Sequence, residues 1–259
     1  MTSMLLSLVP ILIWAGIFLY RHNEKKHLVV KTFMLGALMV VPLVIYRTLW
    51  DFIPGISLVE TFKQFESKAI FTIPLSMILL FITVGIIEEY LKNRVVRGVD
   101  KKEITSIDDA IEFSIIAALG FSFAENTFYF IQVWLNLGTD LLLQVIAFRS
   151  IFSSFAHVLF STLYGYHFGL ALFASPMYKQ KKPWLTTFLH KVTRFKADSI
   201  YKEEQMFAGL FYAAALHAVF NILLGIGYTT FLVPFLIIGF IHVIILISSR
   251  ENHVQYEAK

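Results

Sequence analysis

The 259-residue sequence has no cysteine. Disulfide frameworks, thiolate metal sites and a cysteine nucleophile are therefore excluded. Charge is also scarce: Asp, Glu, Lys and Arg make up 15% of the chain, against about a quarter in an ordinary soluble domain. No internal repeat, low-complexity run or interdomain linker interrupts it, so residues 1–259 read as a single domain. No basic stretch precedes the first apolar run and no small-x-small cleavage site follows it, so that run is expected to be retained rather than removed as a signal peptide. The remainder is apolar. With 57% hydrophobic residues and a mean hydropathy of +0.69, the chain is expected to sit in a lipid bilayer.

Seven windows are apolar enough to cross a hydrocarbon core about 30 Å thick: 4–20, 32–49, 69–91, 107–134, 141–173, 204–227 and 229–248. The expected fold is all-α, a polytopic membrane bundle of about seven transmembrane helices that leaves no room for a soluble domain. Basic residues gather in alternate loops: Arg21 to Lys31, then Lys92 to Lys102, then Lys179 to Lys202. The positive-inside rule then places the protein in the cell membrane with its amino terminus outside and its carboxyl terminus in the cytoplasm. The net charge of +4 records this asymmetry, and no nucleic-acid partner is needed to explain it. In the loop 178–203, Trp184, Leu185, Phe188, Leu189, Val192 and Phe195 fall near one face of a helix. This predicts a cytoplasmic amphipathic helix lying on the bilayer surface.

An ionisable side chain at bilayer depth costs about 2.5–3.5 kcal/mol on insertion scales, so each one calls for a partner, a water cavity or a function. The third window ends in Glu88 and Glu89, followed by Lys92. Glu88 and Lys92 stand four residues apart, which predicts that Lys92 pairs with Glu88 and leaves Glu89 unexplained. The fourth carries Glu125 and Asn126 behind a small and polar stripe, Ser114, Ala118 and Ser122. Its entry differs, because Ser106 and Asp109 form a capping-box pattern that accounts for the acids there structurally. The fifth holds Arg149 and, at helical spacing, Ser150, Ser153, Ser154, His157 and Ser161. In the sixth, His217 and Asn221 lie one turn apart beside Ala213 and Ala214.

Four separate desolvation costs are harder to sustain than one shared hydrated pocket, so these groups are expected to converge. Carboxylates and imidazoles without a thiol suit the activation of water, with a buried carboxylate as general base and histidine or asparagine donors holding an oxyanion. The same groups suit zinc, with Glu88, Glu125, His157 and His217 as candidate ligands. The absence of an HExxH helix puts hydrolysis without any cofactor ahead of that alternative. A proton-coupled transporter or receptor without proteolysis is a third reading; it would favour an inverted repeat, and none is visible.

Taken in order, EEYLK (88–92), GFSFAEN (120–126), Arg149 with His157 and Gly165-Tyr166-x-x-Gly169, and HAVFN (217–221) resemble the PrsW family of intramembrane proteases, relatives of the CAAX prenyl endopeptidase group. The resemblance implies an all-helical catalytic core within 69–227 and cleavage of a membrane-anchored protein substrate, typically an anti-sigma factor. It also implies Glu88 and Glu89 as the water-activating pair, with Glu125, His157, His217 and Asn221 completing the catalytic set. Lys92, Asn126 and Arg149 would support them. The prenyl-endopeptidase relatives carry EExxxR at the first motif. Here the base follows Glu89 by three residues, which makes a prenylated cysteine substrate less expected.

Overall fold

The computed structural model describes residues 26–49, 55–70, 73–99, 102–173 and 183–254, with Gly16, Tyr20, Phe52 and Ile53 besides. The expected first span, 4–20, lies almost wholly outside them. Helices α1 (Lys26–Leu38) and α2 (Val40–Leu49) run on as one apolar rod interrupted at Met39. Pro42 explains the interruption: it has no N–H to donate and its ring crowds the carbonyl of Leu38. A short helix α3 (Leu58–Lys63), capped by Ser57, precedes a two-residue antiparallel ribbon of β1 (Ala69–Ile70) and β2 (Ile73–Pro74). That ribbon is the only β-structure among the described residues.

Helix α4 (Leu75–Arg97) then stops at Gly98, and α5 (Ile107–Leu137) begins at the predicted capping box. The Ser106 hydroxyl accepts from the Asp109 N–H, while the Asp109 carboxylate accepts from the backbone of Ser106 and Thr105. Gly138, at a positive φ of 83° that favours glycine, turns the chain into α6 (Thr139–Phe148). Helix α6 continues through a π-helical turn, Arg149–Ser153, into α7 (Ser154–Leu172). The predicted surface helix is α8 (Trp184–Thr193), followed by α9 (Ala197–Gly225) and α10 (Leu232–Val254).

At the centre, α7 packs against both α5 and α9; α1 covers the far face of α5, and α4 lies on α9. Small residues set these approaches. A Cβ on Gly120 would sit 2.0 Å from the carbonyl oxygen of Phe33, and one on Gly36 2.2 Å from that of Ala117, so α1 and α5 meet backbone to backbone. Gly85 similarly lets α4 approach Ala214 and His217 of α9. Around this core the polarity of a soluble protein is reversed: Ile237, Ile238, Ile241, Ile244 and Ile245 of α10 are all exposed, as a surface facing lipid requires. Trp184, Phe188 and Val192 of α8 are exposed too, so the apolar face predicted for the surface helix is free to lie on a membrane.

Four helical segments are long and apolar enough to cross a bilayer: Lys26–Leu49, Leu141–Leu172, Ala197–Gly225 and Thr229–Ser248. The chain is thus an all-α, multi-pass membrane bundle, and among the described residues four segments qualify rather than the seven expected. Helices α4 and α5, at 23 and 31 residues, are long enough. Their acids, amides and basic residues lower their apolar content, and these same residues make them interesting.

Candidate active site

Gly85 brings α4 close to α9 one turn before Glu89, which places Glu88 and Glu89 opposite His217. Across the bundle, the π-helical turn at Arg149–Ser153 gains one residue relative to an α-helix, and α7 emerges with Ser153, Ser154 and His157 buried. Such turns inside helices are frequent at functional sites. Helix α5 supplies Glu125 and Asn126 from the third side.

The groups form one continuous chain of contacts. The Lys92 ammonium donates to Glu89 Oε1 at 2.5 Å and to His157 Nδ1 at 3.0 Å. An ammonium can only donate, so His157 Nδ1 accepts, and its Nε2–H donates to Glu125 Oε2 at 3.0 Å. Arg149 then donates from Nη2 to Glu125 Oε1 at 2.8 Å and from Nε to Asn126 Oδ1 at 3.0 Å, with its guanidinium 3.9 Å over the Tyr129 ring. On the other side, Nδ1 of His217 donates to Glu89 Oε1 at 2.8 Å. Glu89, Lys92, His157 and His217 are each no more than 3% exposed and Glu88 is 8% exposed, so these five are desolvated together, while Glu125 and Arg149 are half-buried at their edge. Lys92 lies on Glu89 rather than on Glu88, contrary to the four-residue spacing; in this bundle Glu89 is the carboxylate that faces both Lys92 and His217.

This leaves Glu88 unusual. Its Oε2 is buried and makes no hydrogen bond, although His217 Nε2 lies 3.5 Å away. With the His217 proton on Nδ1, a carboxylate oxygen and an imidazole lone pair converge there. Glu88, His157 and His217 offer ligand atoms within 4.8 Å of one another. Each imidazole is backed by a carboxylate, Glu89 behind His217 and Glu125 behind His157, the arrangement that fixes the orientation of metal-bound histidines. Two imidazoles and one carboxylate are a donor set for a divalent cation with an open position for water, and His157 would join it through Nδ1, the nitrogen that now accepts from Lys92.

Of the nine residues singled out in the sequence, eight meet in this network. The ninth, Asn221, is half-buried one turn beyond His217 and is not hydrogen-bonded to any of them. Sequence reasoning missed the apolar walls: Phe160 stacks on His217 at 5.1 Å, and Phe121 lies 5.7 Å from His157. The available signal was their spacing, three residues after His157 and four before Glu125. Ser122 and Ser154, each on a polar stripe visible in the sequence, pair hydroxyl to hydroxyl at 3.2 Å and join Asn126 to α7.

A buried carboxylate and imidazole centre inside an all-α bundle with membrane-length helices carries the groups that hydrolysis within a membrane needs. Residues 24–247 match the model of the PrsW family intramembrane metalloproteases, and the chain belongs to that family. It is 26% identical to Protease PrsW of Clostridioides difficile (strain 630) over 98% of this chain and 92% of that one. No solved structure matches it. The protein is accordingly a membrane protease.

Proposed function

We propose that the protein cleaves a peptide bond of a membrane-anchored protein, with Glu88, His157 and His217 holding a single divalent cation such as zinc. The observation that carries this reading is the buried Glu88 Oε2, without a hydrogen bond and facing His217 Nε2 at 3.5 Å. When bound, such an ion supplies Lewis acidity, making water nucleophilic near neutral pH and polarising a carbonyl. The chain's own residues do the remaining work. Glu89 Oε2, also buried and without a hydrogen bond, accepts the proton of the attacking water, while Lys92 on the other oxygen offsets the carboxylate charge. Glu125, anchored by Arg149, fixes the imidazole of His157. Asn221 donates its amide to the developing oxyanion.

One observation favours a second reading, hydrolysis without a metal and with Glu88 as general base. Both nitrogens of His157 are already engaged, by Lys92 and by Glu125. Elemental analysis of purified protein, with cleavage of a membrane-tethered reporter in proteoliposomes, separates the two. The metal reading expects about one equivalent of bound metal, and loss of both metal and cleavage on chelation. A metal-free protein whose cleavage survives chelation overturns it in favour of the second. Cleavage retained by Glu88→Gln overturns both.

The same proposal takes residues 1–259 as one membrane domain with seven crossings, α4 and α5 included, since their polar residues face the bundle interior. The amino terminus lies outside and the carboxyl terminus in the cytoplasm; the alternating basic loops support this. The substrate class is the one the family resemblance implies, such as a membrane-anchored anti-sigma factor.

A further inference from the structure

Beyond the site, α4 continues for two more turns and ends in Arg94 and Arg97. Arg97 lies eight residues, about 12 Å of helix, past Glu89. A cavity of about 270 Å³ opens there between the ends of α4 and α7 and the start of α9. Arg94, Arg97 and Lys202 supply its charge, and Phe168, Leu172 and Met206 its apolar lining. Among the described residues, none of the three cations is in an ion pair. Glu204, two residues past Lys202, accepts instead from the Thr186 hydroxyl at 2.5 Å. A pocket with three cations that no ion pair among the described residues neutralises, and with a greasy wall, calls for an anion that carries hydrocarbon.

We propose that this cavity binds an anionic phospholipid, with Arg94, Arg97 and Lys202 on its net-negative headgroup and Phe168, Leu172 and Met206 against the start of its acyl chains. Two observations favour a lipid over a free anion. The lining is half apolar. The thread from Thr186 to Glu204 also ties α8, with its exposed Trp184, Phe188 and Val192, to the helix that carries Lys202, so the cavity sits where a surface helix meets the headgroups. Basic pockets between membrane helices recognise anionic headgroups in this way. The site stands apart from the catalytic centre and does not depend on how that centre works.

The test uses the full chain in neutral detergent, titrated with phosphatidylglycerol or phosphatidylcholine and read by native mass spectrometry, with inorganic phosphate as competitor. Each cation near an anionic headgroup contributes about fivefold in affinity. Arg94→Gln/Arg97→Gln/Lys202→Gln is therefore expected to weaken phosphatidylglycerol binding on the order of 100-fold and to leave phosphatidylcholine unchanged. The charge-preserving Arg94→Lys/Arg97→Lys/Lys202→Arg is expected to keep most of the binding, which separates a lost site from lost folding. Neutralising Lys191 and Lys196 instead is expected to change little. Equal binding of the two lipids by wild type, an unaffected triple glutamine variant, an equal loss on neutralising Lys191 and Lys196, or displacement of the lipid by millimolar phosphate would each overturn the proposal.

Discussion

Lys92 reaches across a single turn of α4 to Glu89, nitrogen to oxygen at 2.5 Å, with neither side chain more than 1% exposed. This contact, rather than one to Glu88, decides the electrostatics of the centre. It leaves one glutamate charge-compensated and the other pointing a bare oxygen at His217. A buried pair is poor evidence of net stability, because desolvation offsets the Coulombic gain, but removing one partner strands the other.

Lys92→Met is accordingly expected to destabilise the protein by about 3–5 kcal/mol, read as a fall in the unfolding midpoint in lipid nanodiscs. Adding Glu89→Gln to Lys92→Met is expected to recover most of that loss. Additive losses in the double-mutant cycle would show that the two do not act as a unit.

Arg149 acts through its fork. One nitrogen goes to Glu125 and another to Asn126, and lysine, a point charge, cannot hold both. Arg149→Lys is expected to lower reporter cleavage by about 10- to 100-fold, the range typical of residues that orient a metal ligand. The protein should remain abundant in the membrane; wild-type rates in the variant would argue that Glu125 holds His157 unaided.

His217 joins both glutamates, through Nδ1 to Glu89 and through Nε2 toward Glu88. On the proposed metal reading, alanine there is expected to lower bound metal below about a tenth of the wild-type content, while Asn221→Ala, outside the proposed ligand set, is expected to keep the metal and lose rate by about 10²-fold. Elemental analysis beside reporter kinetics distinguishes the two; equal metal loss in both variants would place Asn221 among the ligands.

The crossing of α1 on α5 admits no side chain at Gly120, since an added Cβ would lie 2.0 Å from the Phe33 carbonyl oxygen. Backbone cannot swing aside as a flexible side chain can, so Gly120→Ala is expected to cost about 1–3 kcal/mol or more by forcing the helices apart. Thermal unfolding measures this. Gly16→Ala, whose Cβ would meet nothing within 4 Å among the described residues, is the control and should hold or slightly raise the midpoint, since alanine favours a helix.

Much of the molecule is legible in the sequence because the bilayer imposes local rules. A helix in lipid must satisfy its own backbone, so apolar run lengths mark the elements, and the Ser106–Asp109 cap marks the start of α5 within the residues that form it. The cost of burying Glu88, Glu89, Glu125, His157 and His217 likewise marks them one by one as candidates for a shared site. What the tertiary structure decided is how they are joined. Spacing on α4 points to Glu88 as the partner of Lys92; the facing helices α7 and α9, which bring His157 to Lys92 and His217 to Glu89, make it Glu89 instead. The π-helical turn that delivers Arg149 to Glu125, the phenylalanine walls and the Arg94–Arg97–Lys202 cavity all depend on residues 20 to more than 100 positions apart meeting at fixed distances. A pattern read along one chain carries periodicity and cost, whereas pairing is set by the packing of helices against each other.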